Sequence, residues 1–285
     1  MSEIDPPLVG VRFFHFAATM VVFGTTLWTL YAPSPARRAV PVNALLVLAV
    51  VALASGGLWA VLTLTRIGGT DVLQAGVLEQ MAVETGFGRA FLGQAVLALV
   101  LIIALVVWPR LRWAHCALSA GLLGGLAFIG HSAVGEGFVL GARLANEAIH
   151  LLAAGAWLGA LPALWVSLRP ADPRLAAASV RRFSIVGILA VSAILLTGAV
   201  NTALMLGMSH AFASSFYFRV LLVKLLLVLG MIALAVVNWR SITPHIQTDP
   251  RTALRALRRN VIAEQGLGLG VLAAVSLLGT LDPSM

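Results

Sequence analysis

The sequence predicts an all-α fold: one polytopic membrane domain over residues 1–285, built as a bundle of eight transmembrane helices. Composition predicts this class, because 60% of the 285 residues are hydrophobic and only 11% are charged, whereas soluble domains carry about 25% charged residues. The mean hydropathy of +0.98 agrees. The net charge of +8 does not indicate a nucleic-acid partner, since basic residues of membrane proteins concentrate in cytoplasmic loops.

Eight apolar segments each reach the length of about 20 residues that a helix needs to cross a bilayer. They are residues 8–31, 40–65, 90–108, 113–130, 144–168, 183–205, 217–239 and 261–281. Leu, Val and Ala dominate all eight, which predicts helices throughout. The connection over residues 67–88 alternates apolar with acidic side chains, so it forms either a short amphipathic helix on the membrane surface or a plain loop.

The loop charges predict the orientation. Thirteen of the 19 basic residues follow odd-numbered helices: Arg37, Arg38, Arg110, Arg112, Arg169, Arg174, Arg181, Arg182, Arg240, Arg251, Arg255, Arg258 and Arg259. The positive-inside rule makes these loops cytoplasmic and places both termini on the periplasmic side. The acidic first seven residues lack the features of a signal peptide, so the first helix is expected to be retained.

The fifth predicted helix carries ionisable side chains in an otherwise apolar span. Glu147, His150, Ala154 and Trp157 follow the three-and-four spacing that aligns side chains on one helix face. Ionisable groups are costly in lipid, and their presence in a span indicates a functional site. The predicted topology places Glu147 and His150 in the outer part of the membrane.

Further histidines and methionines fall on the same predicted side. The candidate metal ligands are His15, His131, His150, His210, Glu147, Met205 and Met208. Imidazole with soft thioether sulfur favours copper, with Cu(I) and Cu(II) both open, and the single Cys116 excludes a multi-cysteine metal site. For each histidine the alternative is a structural hydrogen bond between helices, and for the methionines it is an apolar helix end.

Two polar stripes continue inward from these residues. Thr197, Asn201, Met205 and Met208 share a face of the sixth helix, and Tyr217, Lys224, Met231 and Asn238 recur every seven residues in the seventh. Lys224 either snorkels outward or pairs with Glu147 or Glu136. Nearer the cytoplasm, His115, Cys116 and Glu264 form a sparser set that is either a release site or an ordinary interface.

Several motifs resemble the CopD family of bacterial copper-resistance and copper-homeostasis membrane proteins. The matching residues are Val11–His15 with Gly24, Thr85–Gly88, Gly130–Ala133, His150–Gly159, Tyr217 with Lys224, Asn238–Arg240, Glu264 with Gly268, and Pro283. The fifth-helix motif is the most specific of them. The resemblance covers nearly the whole chain and includes His15, His131 and His150 among the matched positions.

The resemblance implies a multi-pass protein of the bacterial inner membrane that moves copper ions from periplasm to cytoplasm. It also implies a separate periplasmic copper-binding partner of the CopC type, since the chain carries no such domain. No nucleotide-binding motif is present, so we expect neither an ATP-driven pump nor an enzyme. Two alternatives stay open: a redox protein whose histidines ligate a b-type haem, and a copper-binding scaffold without transport.

Overall fold

A computed structural model describes residues 5–38, 40–69, 75–129, 136–168, 172–206 and 215–281. Within these ranges the chain is helical and contains no β-strand. The α-helices are α1 (Pro6–Tyr31), α2 (Ser34–Arg38), α3 (Val42–Gly68), α4 (Ala75–Glu84), α5 (Gly86–Val107), α6 (Arg112–Gly124), α7 (Gly137–Leu158), α8 (Leu161–Ser167), α9 (Pro173–Leu206), α10 (Phe216–Val237) and α11 (Pro250–Leu278).

Seven helical segments of the described chain are long and apolar enough to cross a membrane, which confirms the predicted class. The fourth predicted span, residues 113–130, is not among these seven, and its helix is shorter than expected. Its α-helical part, α6, ends at Gly124 and continues as a 3₁₀ turn over Gly125–Phe128. Adjacent glycines destabilise an α-helix and permit the tighter turn. Because this segment is not one of the seven candidate spans, the count of eight spanning helices stays a prediction.

Other helices begin earlier than the apolar segments suggested. Helix α7 begins at Gly137, seven residues before its predicted start, and α9 begins at Pro173 and α11 at Pro250. Proline is well placed at a first helical turn, where its missing N–H leaves no bond unmade, and Asp249 caps α11 through the Thr252 amide. Hydropathy marks the membrane-crossing part of a helix and misses these polar extensions.

Helix α1 lies at the centre of the bundle and packs against α3, α6, α7 and α11. Its closest crossing is with α7, where Gly24 lies against the backbone of Gly155 and Gly159. A Cβ atom on any of these three glycines would overlap neighbouring atoms. The glycines of the fifth-helix motif therefore allow the two backbones to approach, as small residues do at membrane helix crossings.

Two groups of helices flank this crossing. Helix α5 packs against α3 and α6, which both pack on α1, whereas α7 pairs with α9, and α10 pairs with α11. Helix α4 in the connection over residues 67–88 packs against α5, where Gly88 lies close to Met81 and Ala82. The connection therefore forms a short helix instead of a plain loop.

Candidate metal-binding site

The predicted face of α7 lies along α9. Asn146 donates hydrogen bonds to the Asn201 Oδ1 atom at 2.7 Å and to the Thr197 carbonyl at 3.2 Å. Asn201 in turn donates to the Glu147 Oε2 atom at 2.9 Å, and His150 Nδ1 lies 2.8 Å from Thr197 Oγ1. We call these five residues the α7–α9 network. It brings together three predicted site residues, Glu147, His150 and Asn201.

The hydrogen bonds assign the tautomer of His150. The Thr197 hydroxyl has one proton, which it donates to the Ala193 carbonyl at 2.6 Å. It must therefore accept a bond from His150, so the proton of the neutral imidazole lies on Nδ1 and the lone pair on Nε2. A histidine whose Nδ1–H is held by a neighbour has the arrangement found in metal ligands.

Lys224 lies close enough to Glu147 and His150 to interact with both electrostatically. Within the described part of the chain it forms no direct ion pair with Glu147. Tyr217, one heptad earlier on α10, is buried and also interacts with the Glu147 charge. The heptad stripe of α10 therefore does face the protein, with Met231 and Asn238 buried further along it.

His15 has a different environment from His150. Its Nδ1 atom lies 3.0 Å from the Ala52 carbonyl and 3.1 Å from Ser55 Oγ, both on α3. The ring is edge-on to Trp59, with a centroid separation of 5.5 Å. The two histidines thus contact different helices, and among the described residues no three His, Cys, Asp or Glu side chains form a metal cluster.

Glu264 lies at the far end of the α7 face from the α7–α9 network. Its Oε1 atom accepts a 2.6 Å bond from Asn238, which accepts a 2.8 Å bond from Asn260. Glu264 and Asn238 line a cavity of about 200 Å³ together with Trp157, Ser184, Gly187 and Ser192; we call it the Glu264 cavity. The other two members of the predicted inner set lie elsewhere, since His115 contacts Ala104 on α5 and Cys116 is buried beside it.

Several predicted site residues fall outside the described part of the chain. These are His131, Met208, His210 and the side chain of Met205. The sequence analysis did not identify Asn260, although it lies four residues before Glu264 and therefore on the same helix face. It also did not identify Gln94, although a polar side chain inside an apolar span such as α5 is unusual, and this one is buried.

Comparison with known proteins identifies the family. Residues 1–142 match the family described as copper resistance protein D-like, N-terminal domain, and residues 177–278 match copper resistance protein D. The inner membrane protein YebZ of Escherichia coli K12 is 32% identical over 96% of this chain and 98% of its own length. The chain belongs to the CopD family.

Two further relatives of this CopD protein carry copper in their names. Copper resistance protein D of Pseudomonas syringae pv. tomato is 29% identical, over 99% of this chain and 98% of its own length. Copper transport protein CutJ of Bacillus subtilis 168 is 29% identical over 74% of this chain and 40% of its own length. No solved structure matches. The predicted family is confirmed, as is a multi-pass protein of the inner membrane.

Proposed function

We propose that this CopD protein takes up copper ions from the periplasm into the cytoplasm, and that copper follows the face shared by α7 and α9. The observation that carries the proposal is the α7–α9 network, a carboxylate and a metal-competent histidine held inside a spanning segment. His150 lies roughly midway along the 31-residue segment Gly137–Ser167. Polar groups at such depth mark substrate pathways in membrane proteins.

The face of α7 links the network to the Glu264 cavity. His150 lies against Gly198 near one end, and Trp157 lies against Gly187 and lines the cavity nearer the other. Glu147, His150, Ala154 and Trp157 therefore form one continuous stripe against α9. We propose that copper passes along this stripe from Glu147 and His150 to Glu264.

The outer ligands of the proposed path come from the predicted set. Following the predicted topology with both termini in the periplasm, we propose that Met205, Met208, His210 and His131 bind copper before it reaches the α7–α9 network. Soft thioether and imidazole groups suit capture of copper, and a separate CopC-like protein is the proposed donor. The membrane potential, worth about 2.3 kcal/mol per elementary charge per 100 mV, would drive a cation inward.

The role of Glu147 follows from its neighbours. Asn201 donates to one carboxylate oxygen, and Lys224 interacts with the carboxylate electrostatically, with no direct ion pair between the two among the described contacts. We propose that Glu147 shares its charge between Lys224 and the passing copper ion, so that a metal cation displaces part of an existing interaction. A carboxylate that is not locked in an ion pair can exchange ligands readily.

Copper uptake into proteoliposomes tests the proposal. We expect the His150→Ala variant to lose at least about tenfold in uptake rate, the usual effect of removing a metal-site group. His245→Ala is the matched control, because His245 is exposed on the turn between α10 and α11 and should leave uptake unchanged. Wild-type uptake in His150→Ala would remove this residue from the path, and a Soret absorption band in the purified protein would favour the haem alternative.

A further inference from the structure

The Glu264 cavity opens sideways between α9 and α10. Three of its lining residues are each between 43% and 55% exposed: Ile188 on α9, Val236 on α10, and Trp239 in the turn after α10. Over the described residues α9 packs on α7 and α10 packs on α11, and no comparable packing joins α9 to α10. Because both helices belong to segments long and apolar enough to span a membrane, the opening faces the acyl chains of the bilayer.

The wall of the cavity suits a hydrocarbon chain. Most of it is apolar, with the rings of Phe183 and Trp239 beside aliphatic side chains of α9, α10 and α11. An empty apolar cavity forfeits the dispersion contacts that an inserted chain would make. Glu264 is 2% exposed and bonded to Asn238, so the carboxylate lies on the buried side of the cavity, away from the exposed mouth.

Two arginines lie at the basic end of this mouth, which the predicted topology places in the cytoplasmic leaflet. Arg181 is three residues before Ser184 and seven before Ile188, so it shares the face of α9 that lines the cavity. Arg240 directly follows Trp239, and its guanidinium carbon lies 5.7 Å from the centroid of that ring. Both arginines are exposed, and neither has a carboxylate partner among the described residues.

The chain after Arg240 joins the helices at this same end. It forms the 3₁₀ turn Thr243–Ile246, which packs against both α9 and α11. The carboxylates nearest in sequence to the two arginines are Asp172 and Asp249, and each accepts a backbone amide at the start of a helix. The mouth of the cavity therefore combines an apolar opening to the bilayer with unpaired positive charge at one end.

We propose that an anionic phospholipid binds here, with one acyl chain in the mouth of the Glu264 cavity and its phosphate beside Arg181 and Arg240. A guanidinium fits a phosphate because it offers several N–H donors in one plane, and tryptophan concentrates at the depth between headgroups and acyl chains. The positive-inside rule accounts for arginines in these loops, but not for an apolar cavity that opens to the bilayer beside them.

Lipid binding at this site does not depend on copper uptake. If copper follows the proposed path to Glu264, however, the acyl chain closes the lipid side of the cavity in which that path ends. The mouth lies on α9 and α10, whereas Trp157 and Glu264 lie on α7 and α11, so the chain and the path use different walls.

Lipid titration of the purified, delipidated full-length protein tests the site, with bound lipid counted by native mass spectrometry. Phosphatidylglycerol, phosphatidylcholine and inorganic phosphate form separate arms. We expect one tightly bound phosphatidylglycerol, weaker binding of phosphatidylcholine, and no retention of inorganic phosphate. The double variant Arg181→Gln/Arg240→Gln should bind phosphatidylglycerol roughly thirtyfold more weakly, about fivefold for each charge removed.

The matched control is Arg110→Gln/Arg112→Gln. These two arginines are also exposed and lie beside the exposed tryptophans Trp108 and Trp113, but they line no part of the Glu264 cavity. The control should bind phosphatidylglycerol as the wild type does. An equal loss in both double variants would overturn the site, because it would show attraction to the basic surface as a whole.

Filling the cavity tests the acyl chain separately from the headgroup. Gly187 lines the cavity, and a Cβ atom there would meet only Trp157, at 4.0 Å. Gly187→Leu therefore places a side chain in the cavity without overlapping backbone, and it should weaken phosphatidylglycerol binding about tenfold. Gly93→Leu is the control, since a Cβ atom at Gly93 meets open space on α5. Undiminished binding in Gly187→Leu would overturn the placement of the chain.

Copper uptake by the same proteins in proteoliposomes separates this site from the proposed transport. A phosphatidylglycerol that depends on Arg181 and Arg240, in a protein that takes up no copper, would support the lipid site and overturn transport. Copper uptake by a wild-type protein that holds no such lipid would overturn the lipid site and leave transport standing.

Discussion

His15 and His150 share a tautomer but have different surroundings. His15 and His150 both donate from Nδ1 and leave the Nε2 lone pair available. His15 faces an apolar cavity without a carboxylate, whereas His150 lies beside Glu147 and Lys224. The same side chain therefore stands in two environments, an apolar one between α1, α3 and α5 and a charged one between α7, α9 and α10.

The difference teaches that depth in the membrane is a poor guide to shared function. Both residues lie within spanning helices, but His15 contacts α3 whereas His150 contacts α9. What surrounds each imidazole is decided by the rotation of its helix. Predictions that change one environment while sparing the other can therefore test the contrast directly.

The largest effect is expected in the charged environment. Lys224→Met removes a buried cation that interacts with the Glu147 carboxylate in a spanning segment. Because the two groups interact without a direct ion pair, we expect roughly 3 kcal/mol of destabilisation, the lower end for buried charges that lose a partner. Adding Glu147→Gln should restore most of the stability. Thermal unfolding of both variants in micelles measures this, and equal stability of wild type and Lys224→Met would contradict it.

The second-largest effect is expected at the crossing of α1 and α7. Gly24→Val inserts a side chain where Gly155 and Gly159 leave no space, so we expect a loss of roughly 1–3 kcal/mol from overpacking. Copper uptake should decline together with stability, because α7 carries the proposed path and packs on α1 at this crossing. Gly10→Val is the control, since its Cβ meets open space. Normal uptake in Gly24→Val would show that the crossing does not position the path.

Thr197→Val sharpens the comparison by removing the acceptor for His150 Nδ1–H. A freed imidazole loses its fixed tautomer, so copper binding at the α7–α9 network should weaken about 10–100-fold. Isothermal titration with wild type and Thr197→Ser, which retains the hydroxyl, measures the change. A serine variant as weak as the valine variant would show that the hydroxyl is not responsible.

The smallest effect is expected at Ser55. Ser55→Ala removes one of the two acceptors of His15 Nδ1–H, but the Ala52 carbonyl at 3.0 Å continues to hold the proton. We expect the free energy of unfolding to fall by about 1 kcal/mol or less. Thermal unfolding in micelles measures it. A loss as large as that of His15→Asn would mean that the hydroxyl, and not the carbonyl, fixes the ring.

Periodicity predicted much of this arrangement from the sequence. The spacing of Glu147, His150 and Trp157 predicted one face, and that face lies along α9. The heptad stripe that includes Lys224 likewise faces the protein. Both predictions succeed because side-chain direction on a straight helix follows from residue number alone.

Which helix each face meets could not be predicted in the same way. His15 was grouped with His150 because their depths are similar, but the neighbours of α1 depend on helix rotation and on the crossing at Gly24. The pairing of Glu264 with Asn238, and not with His115, has the same origin. The short α6 was missed because its sequence is apolar enough to span, and only the glycine pair signals the early end.

The proposed copper path along α7 and α9 is tested by measuring copper uptake and copper binding together in Ala154→Phe. Ala154 lies on the α7 stripe between His150 and Trp157, so a phenyl ring should obstruct the path without removing a ligand. We expect Ala154→Phe to bind as much copper as the wild type but to take it up at least about tenfold more slowly, which corresponds to a barrier increase of about 1.4 kcal/mol. Ala145→Phe, on the exposed side of α7, is the control and should transport normally. Unchanged uptake by Ala154→Phe would contradict a path along α7 and α9.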